Sequence, residues 1–158
     1  MFKRFLFLFF VFMGMSATFA SDQEKILYQF DKTLVCRGKQ QARKLGLPTA
    51  NVYPPDLNLS SGSYAGFVSI EGESFHRKAL FYIPSNSEAG ADSDRLNLLE
   101  AHIIDLDFET NLYGKKIEGT ILFHISDPVP WTTTEDMKEK FRVEKIACLK
   151  ALEDVPLD

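Results

Sequence analysis

The sequence predicts a mainly β domain: a closed or nearly closed antiparallel barrel with one helix packed against it at the C-terminal end. Short segments rich in β-branched and aromatic residues recur along most of the chain, each bounded by Gly, Pro, Asn or Asp. The last element instead repeats its apolar residues at helical spacing behind a run of threonines. No internal repeat interrupts this succession of strands and one helix.

Taken in order, residues 33–37 form a first strand and residues 38–47 a polar, basic loop. Residues 51–53 are a brief extended piece stopped by Pro54-Pro55. Residues 62–71 read as a strand leaving a tight turn, and the Gly72 turn returns the chain through residues 75–83 as a hairpin. A turn-rich stretch around residues 84–93 follows. Residues 98–107 alternate, with Leu99, Ala101 and Ile103 on one face and Leu98, Glu100, His102 and Ile104 on the other, so Glu100 and His102 are expected among apolar neighbours. Asn111-Leu112-Tyr113-Gly114 turns the chain into a strand over residues 116–126. Thr133 or Thr134 then caps a helix over residues 135–153, with Met137, Phe141, Cys148 and Leu152 near one stripe.

The N-terminus carries a separate signal. Basic Lys3-Arg4 precedes an apolar run from Phe5 to Met15, and Ala20 ends a small-residue segment before polar Ser21-Asp22. This is the layout of a secretory signal peptide over residues 1–20, with an uncleaved membrane anchor as the other reading. Either way the folded part is expected to be exported. Taking 20 residues from 158 leaves 138, enough for one domain over residues 21–158. Without Lys3 and Arg4 the chain has 16 basic and 22 acidic residues, a formal charge of −6. Such a surface argues against nucleic acid or an anionic membrane as partner, and a monomer is expected. Cys36 and Cys148 are either one disulfide closing most of the domain or two separate buried thiols. Asn58-Leu59-Ser60 is formally a glycosylation acceptor.

The residues that carry chemistry centre on Leu45-Gly46-Leu47-Pro48-Thr49-Ala50-Asn51. Proline fixes its own φ and biases Leu47 toward extended geometry, and in an extended segment residues i and i+2 share a face. Thr49 and Asn51 would then present a hydroxyl and an amide oxygen side by side, neutral oxygens suited to a hard cation that also binds phosphate. The alternative is a turn entering a strand, with both side chains capping local backbone. Other arrangements point less far. The chain has no Gly-x-x-x-x-Gly-Lys-Ser/Thr loop. His76, His102 and His124 lie on different predicted strands, where structural roles outweigh convergence on a metal. Asp105, Asp107 and Glu109 read as a solvated hairpin end rather than a cation site.

In order and spacing, four segments resemble the riboflavin kinase domain: Leu45 through Asn51; Ser61-Gly62-Ser63-Tyr64-Ala65-Gly66; Glu100-Ala101-His102-Ile103 through Leu112-Tyr113-Gly114; and the helix start Trp131-Thr132-Thr133-Thr134-Glu135-Asp136-Met137-Lys138. The resemblance covers about residues 35–155. It implies a six-stranded Greek-key barrel that transfers the γ-phosphate of ATP to the 5′-hydroxyl of riboflavin, giving FMN and ADP, with Mg²⁺ accompanying the nucleotide. Carried over residue by residue, Pro48, Thr49 and Asn51 bind the nucleotide phosphates, Thr49 and Asn51 coordinate the metal, and Glu100 is the base toward the hydroxyl. An apolar strand environment would raise the proton affinity of Glu100.

The chain departs from the family where a Gly-x-Gly-Arg-Gly loop is expected. It reads Gly38-Lys39-Gln40-Gln41-Ala42-Arg43-Lys44, keeping only Gly38, so that phosphate contact would fall to Gly38 and to the charges of Lys39, Arg43 and Lys44. A solvated basic loop is the other reading of those charges. The family's Asn-Ile-Gly-x-x-Pro segment is also altered, to Phe81-Tyr82-Ile83-Pro84-Ser85-Asn86. The alternative to an enzyme is an exported, non-catalytic flavin-binding module that kept the barrel and lost the phosphate loop.

Overall fold

Among the described residues, β-branched and aromatic segments form six strands, β1 (Tyr28–Leu34), β2 (Ala50–Val52), β3 (Gly62–Ile70), β4 (His76–Ile83), β5 (Leu99–Ile103) and β6 (Lys116–Ser126), followed by one long helix, α1 (Thr134–Ala151). The structure is a computed structural model and describes residues 25–38, 42, 46–85, 97–107, 109–130 and 132–156. The expected signal peptide, Lys39, Arg43, Lys44 and Trp131 lie outside the described residues. All strand pairs are antiparallel and run in the order β1-β6-β3-β4-β5-β2. Strands β3, β4 and β5 are successive neighbours and β6 returns beside β3, which is the Greek-key order. The sheet curls into a half-barrel whose two edges meet at one bridge, where the Cys36 N–H donates to the Asn51 carbonyl at 2.8 Å.

The first strand starts earlier than residues 33–37. Tyr28, Gln29 and Phe30 pair with Ile121, Thr120 and Gly119, and the register then shifts before Thr33 pairs with Ile117. The shift adds one residue on the β1 side, a bulge over Asp31-Lys32 that breaks the period-2 pattern by which a strand is read. Phe30 is buried and its ring lies over Gly119, where an added Cβ would come within 2.6 Å of the ring carbon Cε1. Glycine is thus required there to admit the aromatic ring. β5 is shorter than residues 98–107, ending at Ile103 as Asp105 adopts a φ of 61° and turns the chain.

Alternation along the strands divides the apolar residues between two faces. Tyr64, Phe81, Leu99, Ala101, Ile117 and Ile121 belong to the core inside the curl. Ala65, Phe67, Leu80 and Leu122 lie on the outer face, where α1 covers them with Cys148 and Leu152. The helix begins where the Thr133 hydroxyl accepts from the Asp136 N–H at 3.1 Å, and Glu135 and Asp136 lie in its first turn beside the positive end of the helix dipole. Its buried stripe contains Glu144, a charged residue between Phe141 and Cys148. Cys36 and Cys148 are both free: Cys36 is half-buried by the bridge to β2, and Cys148 is fully buried against the Ala79 carbonyl.

Two outcomes test this packing. Leu152, with no exposed surface, caps the outer core, so Leu152→Ala should lower unfolding stability by about 2–5 kcal/mol in urea titrations. Burial pushes the Cys148 thiol up to about 12. The unfolded chain therefore loses this proton at a pH where the folded one keeps it, and stability should fall as pH rises from about 9 toward 12. Cys148→Ala should flatten that slope relative to wild type, and at pH 8 a thiol reagent should modify Cys148 only as fast as the protein unfolds.

Candidate functional site

Strand register, more than proximity in sequence, assembles the site. Asn51 on β2 is directly opposite Glu100 on β5, Glu100 is opposite Tyr82 on β4, Tyr82 is opposite Ser63 on β3, and Ser63 is opposite Ser126 on β6. Directly paired residues place their side chains on one face about 5 Å apart. The next row, Ala50, Ala101, Phe81 and Tyr64, faces the inner core. Asn51, Glu100, Tyr82, Ser63 and Ser126 therefore form a continuous polar row on the outer face of five adjacent strands. Glu100 thus has Asn51 and Tyr82 as its cross-strand neighbours, in place of the apolar surroundings expected for it.

Helix α1 lies over one end of this row. Glu144 is 7% exposed, and its Oε1 accepts from the Ser63 hydroxyl at 3.0 Å, from the Ser126 hydroxyl and from the Lys140 ammonium. Three donors make burial of a carboxylate tolerable, because each replaces a water it has lost. Lys140 is held by this pairing 5.7 Å from the centre of the Tyr82 ring. The other end of the row, at Asn51 and Glu100, is flanked by Gly38 against Asn51 and by Pro48, which enters β2 beside His102.

Asn51 is 6% exposed and is held from two sides. Its backbone carbonyl takes the bridge from Cys36, and its side-chain amide lies against Gly38, where an added Cβ would stand 2.6 Å from the amide atoms. Gly38 is fixed in turn through its neighbours: Val35 exchanges backbone hydrogen bonds with Gly114 and Lys115, and the Arg37 guanidinium lies 5.4 Å from the Tyr113 ring centre. Gly38 thus joins the start of the basic loop to Asn51, a contact the sequence reading assigned to phosphate. Thr49 is half-buried and immediately precedes β2.

His102 holds the segment that leads into β2. It is 9% exposed on the outer face, opposite Leu80, and its Nδ1 lies 3.0 Å from the Pro48 carbonyl oxygen. A carbonyl only accepts, so Nδ1 carries the hydrogen. Burial lowers the imidazole pKa from its usual 6.5, keeping the ring neutral, and the Phe141 ring of α1 meets it edge-on at 4.7 Å. His76 and His124 are elsewhere, against Ser69 and Asp127, and among the described residues no three His, Cys, Asp or Glu gather as a metal site.

The structure therefore brings together Gly38, Pro48, Thr49, Asn51 and Glu100, while Lys39, Arg43 and Lys44 lie outside the described residues. Sequence reasoning passed over His102 as an anchor, and over Tyr82, Lys140 and Glu144. A carboxylate inside the apolar stripe of the last helix was the available sign of Glu144.

A family model described as Flavokinase, riboflavin kinase, matches residues 27–152. The chain is 32% identical over 115 residues to the RNA-binding riboflavin kinase RibR of Bacillus subtilis, covering 73% of this chain and 47% of that protein. It is 29% identical over 143 residues to the riboflavin kinase of Saccharomyces cerevisiae, covering 70% of this chain and 65% of that protein. The chain thus spans less than two thirds of the length of these curated relatives. Its fold is similar to a solved structure described as a macrolide-efflux protein from Streptococcus pneumoniae, with a TM-score of 0.65 at 19% identity, covering 76% of this chain and 38% of that one. That likeness is one of fold. With the family model matching from the first strand to the end of the helix, this chain belongs to the riboflavin kinase family.

Proposed function

We propose that this protein transfers the γ-phosphate of ATP to the ribityl 5′-hydroxyl of riboflavin, giving FMN and ADP. The observation that carries this reading is the register pairing of Asn51 with Glu100, which sets a metal-type oxygen beside a carboxylate on an outward-facing strand surface. The donor set fits a hard divalent cation shared with substrate phosphate. Thr49 and Asn51 offer neutral oxygens, and few protein carboxylates are needed where phosphate and water complete the shell. Thr49 and Asn51 would hold that cation, Mg²⁺ by its match to such ligands. When bound, it neutralises charge on the phosphates.

Glu100 supplies the proton chemistry. As the riboflavin 5′-oxygen bonds to the γ-phosphorus and the bond from that phosphorus to the ADP oxygen breaks, the Glu100 carboxylate takes the hydroxyl proton. Gly38 keeps the Asn51 amide in place, and the sequence after it supplies Lys39, Arg43 and Lys44 as charges available to the phosphates. The glycine-poor sequence of that loop supports the second reading, a flavin-binding module that kept the barrel and lost turnover. The run over residues 1–20 supports export in either case.

The purified protein incubated with riboflavin and MgATP should form FMN, detected by chromatography. Flavin fluorescence quenching without FMN would favour the binding module, and neither signal would end both readings. Glu100→Gln should lower turnover by about 10²–10⁴-fold while leaving riboflavin quenching nearly unchanged. Gly38→Ala, which drives a methyl group into the Asn51 amide, should raise the half-saturating MgATP concentration by about tenfold, as Asn51→Ala should, with little change for riboflavin.

A further inference from the structure

The β2–β5 ladder is only three pairs long: Val52 with Leu99, Asn51 with Glu100 and Ala50 with Ala101. One step further, the register would set Thr49 opposite His102, but that pair is not formed. Pro48 has no N–H to continue a ladder, so the backbone entering β2 leaves the sheet at the residue before the metal-type oxygens begin. The contact that holds this stretch down is the His102 imidazole, whose Nδ1–H reaches the Pro48 carbonyl at 3.0 Å. The ring is itself fixed between Leu80 across the sheet and the edge-on ring of Phe141 from α1.

We propose that His102 is a positioning residue for the nucleotide site: beyond the end of the ladder its Nδ1–H holds the Pro48 carbonyl and so sets where Thr49 and Asn51 present their oxygens. The inference rests on the reading of Thr49 and Asn51 as the metal and phosphate residues. It makes α1 part of that site at one remove, since Phe141 orients the imidazole although no helix residue takes the place of a ligand. It also separates two neighbours on one strand face. Glu100 acts on the hydroxyl acceptor, whereas His102, two residues on, acts only through the Pro48 backbone.

The test exploits the two amides that mimic the two imidazole nitrogens. Asparagine places its amide nitrogen near the position of Nδ1, glutamine near that of Nε2, and both are polar side chains of tolerable size. For His102→Gln, the MgATP concentration at half-saturation should rise by about tenfold, the effect of one lost buried hydrogen bond, with kcat and the riboflavin KM changing less than threefold. His102→Asn should restore MgATP to within about threefold of wild type. Calorimetric titration of the full chain with MgADP should rank the three proteins in the same order without any turnover. ¹⁵N NMR of histidine-labelled wild type should show one imidazole protonated at Nδ1 and bare at Nε2 at neutral pH, a signal absent from both variants.

Equal MgADP affinity for the three proteins would overturn the proposal, as would a His102 signal protonated at Nε2. Equal losses for MgATP and riboflavin would assign His102 to general stability instead and would also overturn it. Should the wild type form no FMN, the calorimetry and the NMR signal still decide the role of His102, so failure of the catalytic reading and failure of this one are distinguishable.

Discussion

The whole arrangement depends on a three-residue strand. β2 contributes Ala50, Asn51 and Val52, too short a segment to hold its register by hydrogen bonding alone, yet a slip of one residue would turn Asn51 into the core and Ala50 outward. Burial decides the register. Val52 has no exposed surface and Ala50 has 5%, so the apolar alternation locks these residues against Leu99 and Ala101, and Asn51 is left facing Glu100. The bridge from Cys36, the close approach of Gly38 and the imidazole of His102 then fix the segment from three further directions. The packing of the core and the placing of the reactive groups are the same event.

A polar row on the outer face of a small barrel is otherwise a weak point, because the same face must carry the hydrophobic contact with α1. The chain resolves this by dividing the face along the strands. Near Ala65, Leu80 and Leu122 the outer surface is apolar and receives Cys148 and Leu152. One row away it is polar, and the helix meets it with Glu144 and Lys140, whose charges and the two serine hydroxyls satisfy one another. The helix thus grips the barrel by apolar contact near its C-terminal end and by a hydrogen-bonded cluster in its middle, leaving the Asn51 and Glu100 end of the row uncovered by these contacts.

Much of this was legible in the sequence. Period-2 alternation over Leu99, Ala101 and Ile103 placed Glu100 and His102 on the opposite face from the core, and the threonine run narrowed the helix cap to Thr133 or Thr134, of which Thr133 is the cap. Turn residues marked β3, β4 and β6 to within a residue at most of their ends. The first strand was misread because the bulge at Asp31-Lys32 destroys the alternation there, and bulges have no reliable local signature. The neighbours of Glu100 were misjudged for a different reason. Alternation says which face a residue is on, but cross-strand pairing with Asn51 and Tyr82 is a property of register between segments far apart in the chain. The His102 contact with Pro48 spans 54 residues and was illegible for the same reason.

The central claim is that Asn51 and Glu100 act as one unit because β2 and β5 pair in this register. A double-mutant cycle on kcat/KM for FMN formation, combining Asn51→Ala with Glu100→Gln, tests this most directly. The account predicts strong non-additivity: the double variant should lose at least about tenfold less than the product of the two single losses, since the loss at Asn51 should largely disappear once Glu100 is removed. Losses that multiply would contradict it, by showing that the two side chains contribute independently.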